Sequence, residues 1–224
     1  MNRRVSYNSL RDQLFQEIRK DILTNKYAPG EELQIDKLAA LFEVSTTPVR
    51  EALVRLEAEG LVKLIPNRGV RVTPISLTDI KNIWELRQLL EPHAALATAK
   101  CCSDVELDAI EDNLNQVLRS PDDFAAYTRS DQELHTLLAK YITNEDLADI
   151  LNRIWERSLR IRYFTEENKL SLRQEVIEQA TLEHLEIVQA LRDRDPNKVS
   201  ELVFQHLVNG EKRTLKGLKE AGSM

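Results

Sequence analysis

Val44-Ser45-Thr46-Thr47-Pro48-Val49-Arg50-Glu51-Ala52-Leu53-Val54-Arg55-Leu56-Glu57-Ala58-Glu59-Gly60-Leu61-Val62 is the stretch that decides the fold. Ser45, Thr46 and Thr47 carry hydroxyls that accept hydrogen bonds from the free amides at a helix start. Pro48 suits an early helical position, where its missing N–H has no partner to lose. Val49, Leu53 and Leu56 then recur at helical spacing, with Arg50 and Arg55 off that stripe. Gly60 is a helix stop. Hydroxyls and an arginine at the N-terminus, with an apolar back, are what a helix entering the DNA major groove needs.

The flanks extend this reading. Leu10, Leu14, Phe15, Ile18, Ile22 and Leu23 form an apolar stripe that predicts a helix from about Ser9 to Thr24. Asn25-Lys26-Tyr27-Ala28-Pro29-Gly30 ends it, and a short helix follows at 36–43. Leu61-Val62-Lys63-Leu64-Ile65 and Val70-Arg71-Val72-Thr73 are β-prone runs about a Pro66-Asn67-Arg68-Gly69 turn, which predicts a hairpin. Three helices and a hairpin make a winged helix-turn-helix over residues 1–75. After Pro74-Ile75-Ser76 the strand signal disappears. Helical periodicity then predicts six helices near 78–100, 104–118, 121–141, 145–163, 170–193 and 196–217. Thr78, Ser103 and Asn144 are placed to cap three of them, and Pro121 and Pro196 fit early helical positions. Residues 76–224 therefore read as an all-α antiparallel bundle, and the chain as mainly α.

The 224 residues are 42% hydrophobic and 30% charged, enough apolar content for a packed core. No run approaches the length of a membrane span, and Met1-Asn2-Arg3-Arg4-Val5-Ser6 lacks the apolar core of a signal peptide. Two adjacent cysteines, Cys101 and Cys102, make poor staples and fit burial in a reducing, cytoplasmic compartment. The net charge of −6 is unevenly spread. Residues 1–75 carry 12 Lys/Arg against 10 Asp/Glu, and the remainder 19 against 27, so the reader is +2 and the bundle −8. The small excess on the reader favours two copies binding DNA together.

Within the reader, Thr46, Thr47 and Arg50 fall where base edges come within reach, and Arg50 can pair with guanine O6 and N7. Arg68 and Gly69 form the wing tip, set for the minor groove or a phosphate. Arg11 and Arg55 are in position to meet phosphates. In the bundle, Asp131 and His135 lie one turn apart and share a face. Tyr127, Leu134 and Leu138 turn that face inward. His184 lies among Ile177, Ala180, Ile187, Val188 and Leu191, and His206 among Val199, Leu202, Val203 and Leu207. Neutral imidazole with carboxylate suits Zn²⁺ and similar divalent ions. The plainer alternative is that each His is a hydrogen-bonded core residue. His93 reads as structural or surface, Trp84 and Trp155 as core or interface, and Arg160, Arg162 and Tyr163 as lining a pocket or, more simply, as a solvated face.

The segment Val44–Leu56 resembles the recognition helix of the GntR family of bacterial transcription regulators, whose pattern runs Val-Ser-Arg-Thr-Pro-Val-Arg-Glu-Ala-Leu-x-Arg-Leu. Thr46 departs from it, standing where the family usually has arginine, which unsettles any inherited base preference. Ile35-Asp36-Lys37-Leu38-Ala39-Ala40-Leu41-Phe42, Gly60-Leu61-Val62 and Asn67-Arg68-Gly69-Val70-Arg71-Val72 resemble the family's preceding helix and wing. Arg129-Ser130-Asp131-Gln132-Glu133-Leu134-His135, with Leu138 and Asn144, resembles the FCD effector domain found behind such readers, and six helices resemble its VanR-like branch. In metal-binding members the ligands are an Asp, the His four residues on, and one His from each of the last two helices. The resemblance implies Asp131, His135, His184 and His206 in those roles.

Leu86-Arg87-Gln88-Leu89-Leu90-Glu91-Pro92 resembles the first helix of that domain, where an arginine at the Arg87 position can face the effector. Guanidinium binds carboxylates bidentately; pairing with a core carboxylate, or capping the linker, is equally open. The expectation is a homodimeric, DNA-binding regulator, commonly a repressor in this family. It would bind an inverted repeat of double-stranded DNA and sense a small organic or sugar acid beside a divalent metal. Zinc is the first choice of ion, and nickel or another transition metal the alternative. The competing expectations are a metalloenzyme acting on a small carboxylate, since such a metal can activate water, and a regulator whose metal is purely structural.

Overall fold

The computed structural model describes residues 10–66, 69–166 and 170–220. The chain divides into two compact units. One comprises the residues up to Ser76 together with Leu159–Phe164; the other comprises Leu77–Ser158 and the residues from Thr165 onward.

The first unit contains α1 (Leu10–Leu23), β1 (Glu32–Leu33), α2 (Ile35–Leu41), α3 (Thr46–Ala58), β2 (Val62–Ile65) and β3 (Gly69–Val72). α1 buries Leu14, Phe15, Ile18 and Ile22 against the buried Val49, Ala52, Leu53 and Leu56 of α3. Each such side chain, fully buried, contributes about 1.5–3 kcal/mol. Between α2 and α3 the chain reverses at Glu43, held at φ 56, and the Val44 amide returns to the Ala39 carbonyl at 2.9 Å. α3 closes as its sequence predicts. Gly60 takes φ +73, its amide bonds to Glu57 O at 2.9 Å and that of Leu61 to Leu56 O at 3.0 Å, which is a glycine-dependent helix stop. Ser45 stands at the N-cap without a side-chain capping bond.

The expected hairpin is present as the antiparallel pair β2–β3, with Val62 opposite Val72 and Leu64 opposite Val70. β1 was not expected. Its two residues extend the sheet to the order β1-β3-β2, pairing Glu32 with Arg71 and Leu33 with Val70. Such a strand is too short for a period-2 pattern to register. At the turn, Gly69 has φ +98, and a Cβ there would meet the Leu33 carbonyl oxygen at 3.0 Å. Asn67 and Arg68 lie outside the described residues.

The six helices expected follow: α4 (Leu77–Cys101), α5 (Asp104–Arg119), α6 (Phe124–Ala139), α7 (Glu145–Glu166), α8 (Leu170–Arg192) and α9 (Pro196–Glu220), all of the second unit except the Leu159–Phe164 stretch of α7. Ser103 forms a full capping box with Glu106, and Asn144 Oδ1 accepts from the Leu147 amide at 3.1 Å. One start differs. Pro121 sits in a turn, and α6 begins at Phe124 because Asp123 caps it, accepting from the Ala126 amide at 2.9 Å. Pro92 lies inside α4 and removes the amide that would bond the Gln88 carbonyl. Of the two cysteines, Cys102 is buried and Cys101 exposed.

α9 packs along α4 and α8, and α6 packs against α4, α5 and α8. The α4–α9 approach depends on Gly210, where a Cβ would lie 2.6 Å from the buried Trp84 ring. Gly210→Ala therefore lowers stability by about 1–3 kcal/mol through overpacking, even though alanine is the better helix former by about 1 kcal/mol. Urea unfolding checks this; a variant more stable than the parent would contradict the packing account.

Candidate metal centre and DNA-reading face

Three helices of the second unit bring one set of donors together. Asp131 and His135 come from α6, His184 from α8 and His206 from α9. All four are buried, and one donor atom from each lies within 4.8 Å of all the others. His184 Nε2 and His206 Nε2 are 3.1 Å apart. Asp131 Oδ1 is 3.6 Å from His184 Nε2 and 3.7 Å from His135 Nε2. Donors sharing one ion at about 2.1 Å stand about 3.0–3.5 Å apart at tetrahedral or octahedral angles. The His184–His206 separation falls in that range, the two Asp131 separations are slightly wider, and the nitrogen-rich donor set is of the kind that suits a divalent transition metal.

Two carboxylates orient the imidazoles from behind. Glu91 Oε2 lies 2.6 Å from His135 Nδ1, and Glu183 Oε2 lies 2.7 Å from His206 Nδ1. A carboxylate at Nδ1 fixes the proton there and turns the Nε2 lone pair toward the shared centre. The protonation sites are assigned from this network. Glu91 also accepts from Arg87 Nε at 2.5 Å and from Trp155 Nε1 at 3.0 Å. Burial works to raise the Glu91 carboxyl, but the Arg87 guanidinium and His135 outweigh it and hold it well below the usual carboxylate range. Glu183 is half-buried, and burial works to raise it too, yet Arg213, through two 2.8 Å bonds, and His206 keep it well below that range. Asn209 Nδ2 donates to Glu183 Oε1 at 2.9 Å. Burial lowers the His206 imidazole, with Glu183 opposing it, and the neutral form is the one that ligates.

Arg87 is 2% exposed and answers to the core-carboxylate alternative in this structure. Besides Glu91, its Nη1 donates to Ser158 Oγ at 2.9 Å, its Nη2 lies 3.2 Å from His135 Nε2, and its guanidinium stacks 4.9 Å from the Trp84 ring centroid. The guanidinium thus reaches the edge of the donor set. His93 is exposed and apart from the cluster. Arg160 is buried rather than on a solvated face, and Arg162 and Tyr163 are half-buried.

Glu91, Glu183, Arg213 and Ser158 escaped the sequence reading, and Trp155, read as core or interface, was not placed beside the cluster. Glu91 left a trace, one turn after Arg87 in the same helix. Glu183 left none. It precedes His184 directly, so the two cannot share a face, and its partners come from another helix.

In the first unit, Thr47, Arg50 and Val54 are exposed along one face of α3, and Thr46 is half-buried. Arg50 has no hydrogen-bond or ion-pair partner among the described residues. Arg55 is engaged within the unit. It bonds Asp12 Oδ1 at 2.6 Å and stacks 4.0 Å from the centroid of Phe15. Arg11 is exposed and 3.9 Å from Glu51 Oε2, a pair weak enough to yield to a phosphate. No helix among the described residues is long and apolar enough to cross a membrane.

The gntR family profile of bacterial regulatory proteins matches residues 10–72, and the FCD domain profile matches residues 82–209. Similar curated proteins include the HTH-type transcriptional repressor RspR of Escherichia coli (strain K12), 29% identical over 204 residues, covering 87% of this chain and 84% of that one. The Nta operon transcriptional regulator of Aminobacter aminovorans is 30% identical over 183 residues, covering 81% and 83%. Among solved structures, E. coli McbR/YncC superposes with a TM-score of 0.77 at 19% identity, covering 93% of this chain and 98% of that one. A metal-free FCD domain matches 63% of this chain and 94% of its own with a TM-score of 0.53 at 23% identity. These relatives are transcription regulators, not enzymes, which removes the metalloenzyme expectation. A helix-turn-helix reader followed by an FCD domain places this chain in the GntR family of DNA-binding transcription regulators.

Proposed function

We propose that the chain is a homodimeric, cytoplasmic repressor that releases its operator when a small organic or sugar acid binds beside a divalent metal in the bundle. Residues 1–75 read an inverted repeat of double-stranded DNA, and residues 76–224 hold metal and effector and join the two copies. Asp131, His135, His184 and His206 are the ligands. Zinc is the expected ion, and nickel or another transition metal fits the same donors. The observation that carries this reading is the convergence of four buried donors, two of them oriented from behind by Glu91 and Glu183. A set of one oxygen and three nitrogens leaves coordination positions to which a carboxylate can bind, and the Arg87 guanidinium is close enough to complete its recognition. Differential binding of the acid to one spacing of the two readers then lowers DNA affinity. Thr46, Thr47 and Arg50 read bases, Gly69 and Arg68 shape the wing contact, and Arg11 and Arg55 meet phosphates. For Arg55 that contact requires exchange of its bond to Asp12.

The complete burial of the donors also favours a second reading, in which the metal only staples the bundle. Under that reading chelation lowers the melting temperature, and no acid alters DNA affinity.

Elemental analysis is expected to find one metal per wild-type chain and none in His135→Ala or His184→Ala. Stoichiometric metal retained by either variant would argue against the assigned ligands. Glu183→Gln, which keeps a polar partner for Arg213 but loses the charge behind His206, is expected to weaken metal binding about 10–100-fold; unchanged affinity in a competition titration would remove Glu183 from that role. On the reader, Arg50→Ala costs about 1–3 kcal/mol in operator binding. Equal affinities for a mapped operator would show that Arg50 does not read bases.

A further inference from the structure

α3 has two opposed faces. Val49, Ala52, Leu53 and Leu56 are buried on one. At about 3.6 residues per turn, Thr47, Arg50, Glu51 and Val54 lie on the other, and each of them is exposed. Val54 is 54% exposed and is the one large apolar side chain exposed on α3 among the described residues. It stands one turn after Arg50, which has no hydrogen-bond or ion-pair partner among the described residues. Glu51 shares the face but lies 3.9 Å from Arg11, which offsets its charge. Helix formation gives no reason for a valine here, because its β-branch is restricted against the preceding turn. Single exposed aliphatics are common on protein surfaces. Val54 differs in its place, in the middle of the outward face of the helix that carries the base-reading residues.

We propose that Val54 is a specificity-determining residue of the reader, its isopropyl group packing on the C5-methyl of a thymine in the major groove, close to the base pair read by Arg50. The proposal rests on the base-reading role of α3 given above and adds to it an apolar contact. The major-groove edges of the four base pairs present hydrogen-bond donors and acceptors and a single apolar group, the thymine methyl. An isopropyl group neither donates nor accepts. Against a thymine methyl it removes apolar surface from water on both sides. Against an adenine, guanine or cytosine edge it strips water from a polar group and offers no partner in return. The side chain is stiff at χ1, so holding it in contact costs little conformational freedom. A rise of about 1.5 Å per residue sets Val54 about 6 Å beyond Arg50 along α3, which is about two base steps of roughly 3.4 Å. The thymine is therefore expected within about two base pairs of the guanine that Arg50 reads.

The test selects tight-binding duplexes from a random pool with the full chain. Each thymine of the selected site is then replaced in turn by uracil, which lacks only the methyl group, and affinities are measured by fluorescence anisotropy. Wild type is expected to lose about fourfold at one thymine near the guanine whose identity ceases to matter in Arg50→Ala, the worth of one buried methyl-sized group. Val54→Ala is expected to bind the parent duplex about fourfold more weakly and to lose nothing further when that thymine becomes uracil, so the two losses coincide instead of adding. Alanine is the better helix former at this exposed position, so weaker binding does not report a loss of fold. Val54→Ala that binds as wild type does, or that suffers the same uracil penalties at every thymine, would overturn the proposal. A selected site with no preferred A·T pair within about two base pairs of that guanine would overturn it as well. If Arg50→Ala weakens binding while Val54→Ala does not, the failure belongs to Val54 alone. If neither variant changes any affinity, α3 does not read bases, and the proposal falls together with the wider reading.

Discussion

Glu91 and Glu183 each press a carboxylate oxygen against the Nδ1 of an inward-facing imidazole, and the rest of the bundle is arranged to make that possible. Burying a carboxylate is costly unless its charge is met, and removing one partner of a buried pair costs about 3–5 kcal/mol. The fold meets each charge with an arginine. Arg87 stands one turn before Glu91 on α4, and Arg213 reaches from α9 to Glu183 on α8. Trp155 and Asn209 supply further donors. Five helices, α4, α6, α7, α8 and α9, are thereby tied to the orientation of two rings. Without those ties, Nε2 atoms that converge to within hydrogen-bond distance would be free to rotate apart.

The same network lets a cluster of polar side chains sit inside a packed core. Each helix that carries a member of the cluster buries an apolar stripe around it: Leu134 and Leu138 beside Asp131 and His135, Ile177, Ile187 and Leu191 around His184, Val199, Val203 and Leu207 around His206. The apolar packing positions the helices, and the carboxylates position the rings. The reader is built on the opposite logic. Its core locks α1 against α3, while Thr47 and Arg50 are left exposed. Among its described residues Arg11, Arg19, Lys26, Arg55 and Arg71 each pair with a neighbouring acid, whereas Arg50 has no such partner.

Much of this was legible in the sequence because it is periodic or local. The α3 stripe, the Gly60 stop, the Ser103 capping box and the six bundle helices follow from spacing within one element. The inward faces of Asp131, His135, His184 and His206 follow from their apolar neighbours. What escaped depends on long-range partners. β1 exists only because β3 offers it an edge, and α6 starts at Phe124 rather than Pro121 because the Asp123 side chain turns back onto an amide. Glu183 looks like any solvated glutamate until His206, 23 residues away, is folded against it. Arg87 was open between an effector carboxylate and a core one, and only three dimensions supplied Glu91, Ser158 and His135 together.

The measurement that bears most directly on the central claim is operator binding followed by fluorescence anisotropy while a panel of organic and sugar acids is titrated, once with metal-loaded protein and once with chelator-stripped protein. Metal-assisted acid sensing predicts that an active acid weakens operator binding by the metal-loaded protein and has little effect on the stripped protein. An acid that acts equally on both, or metal-loaded protein that no acid affects, would contradict it.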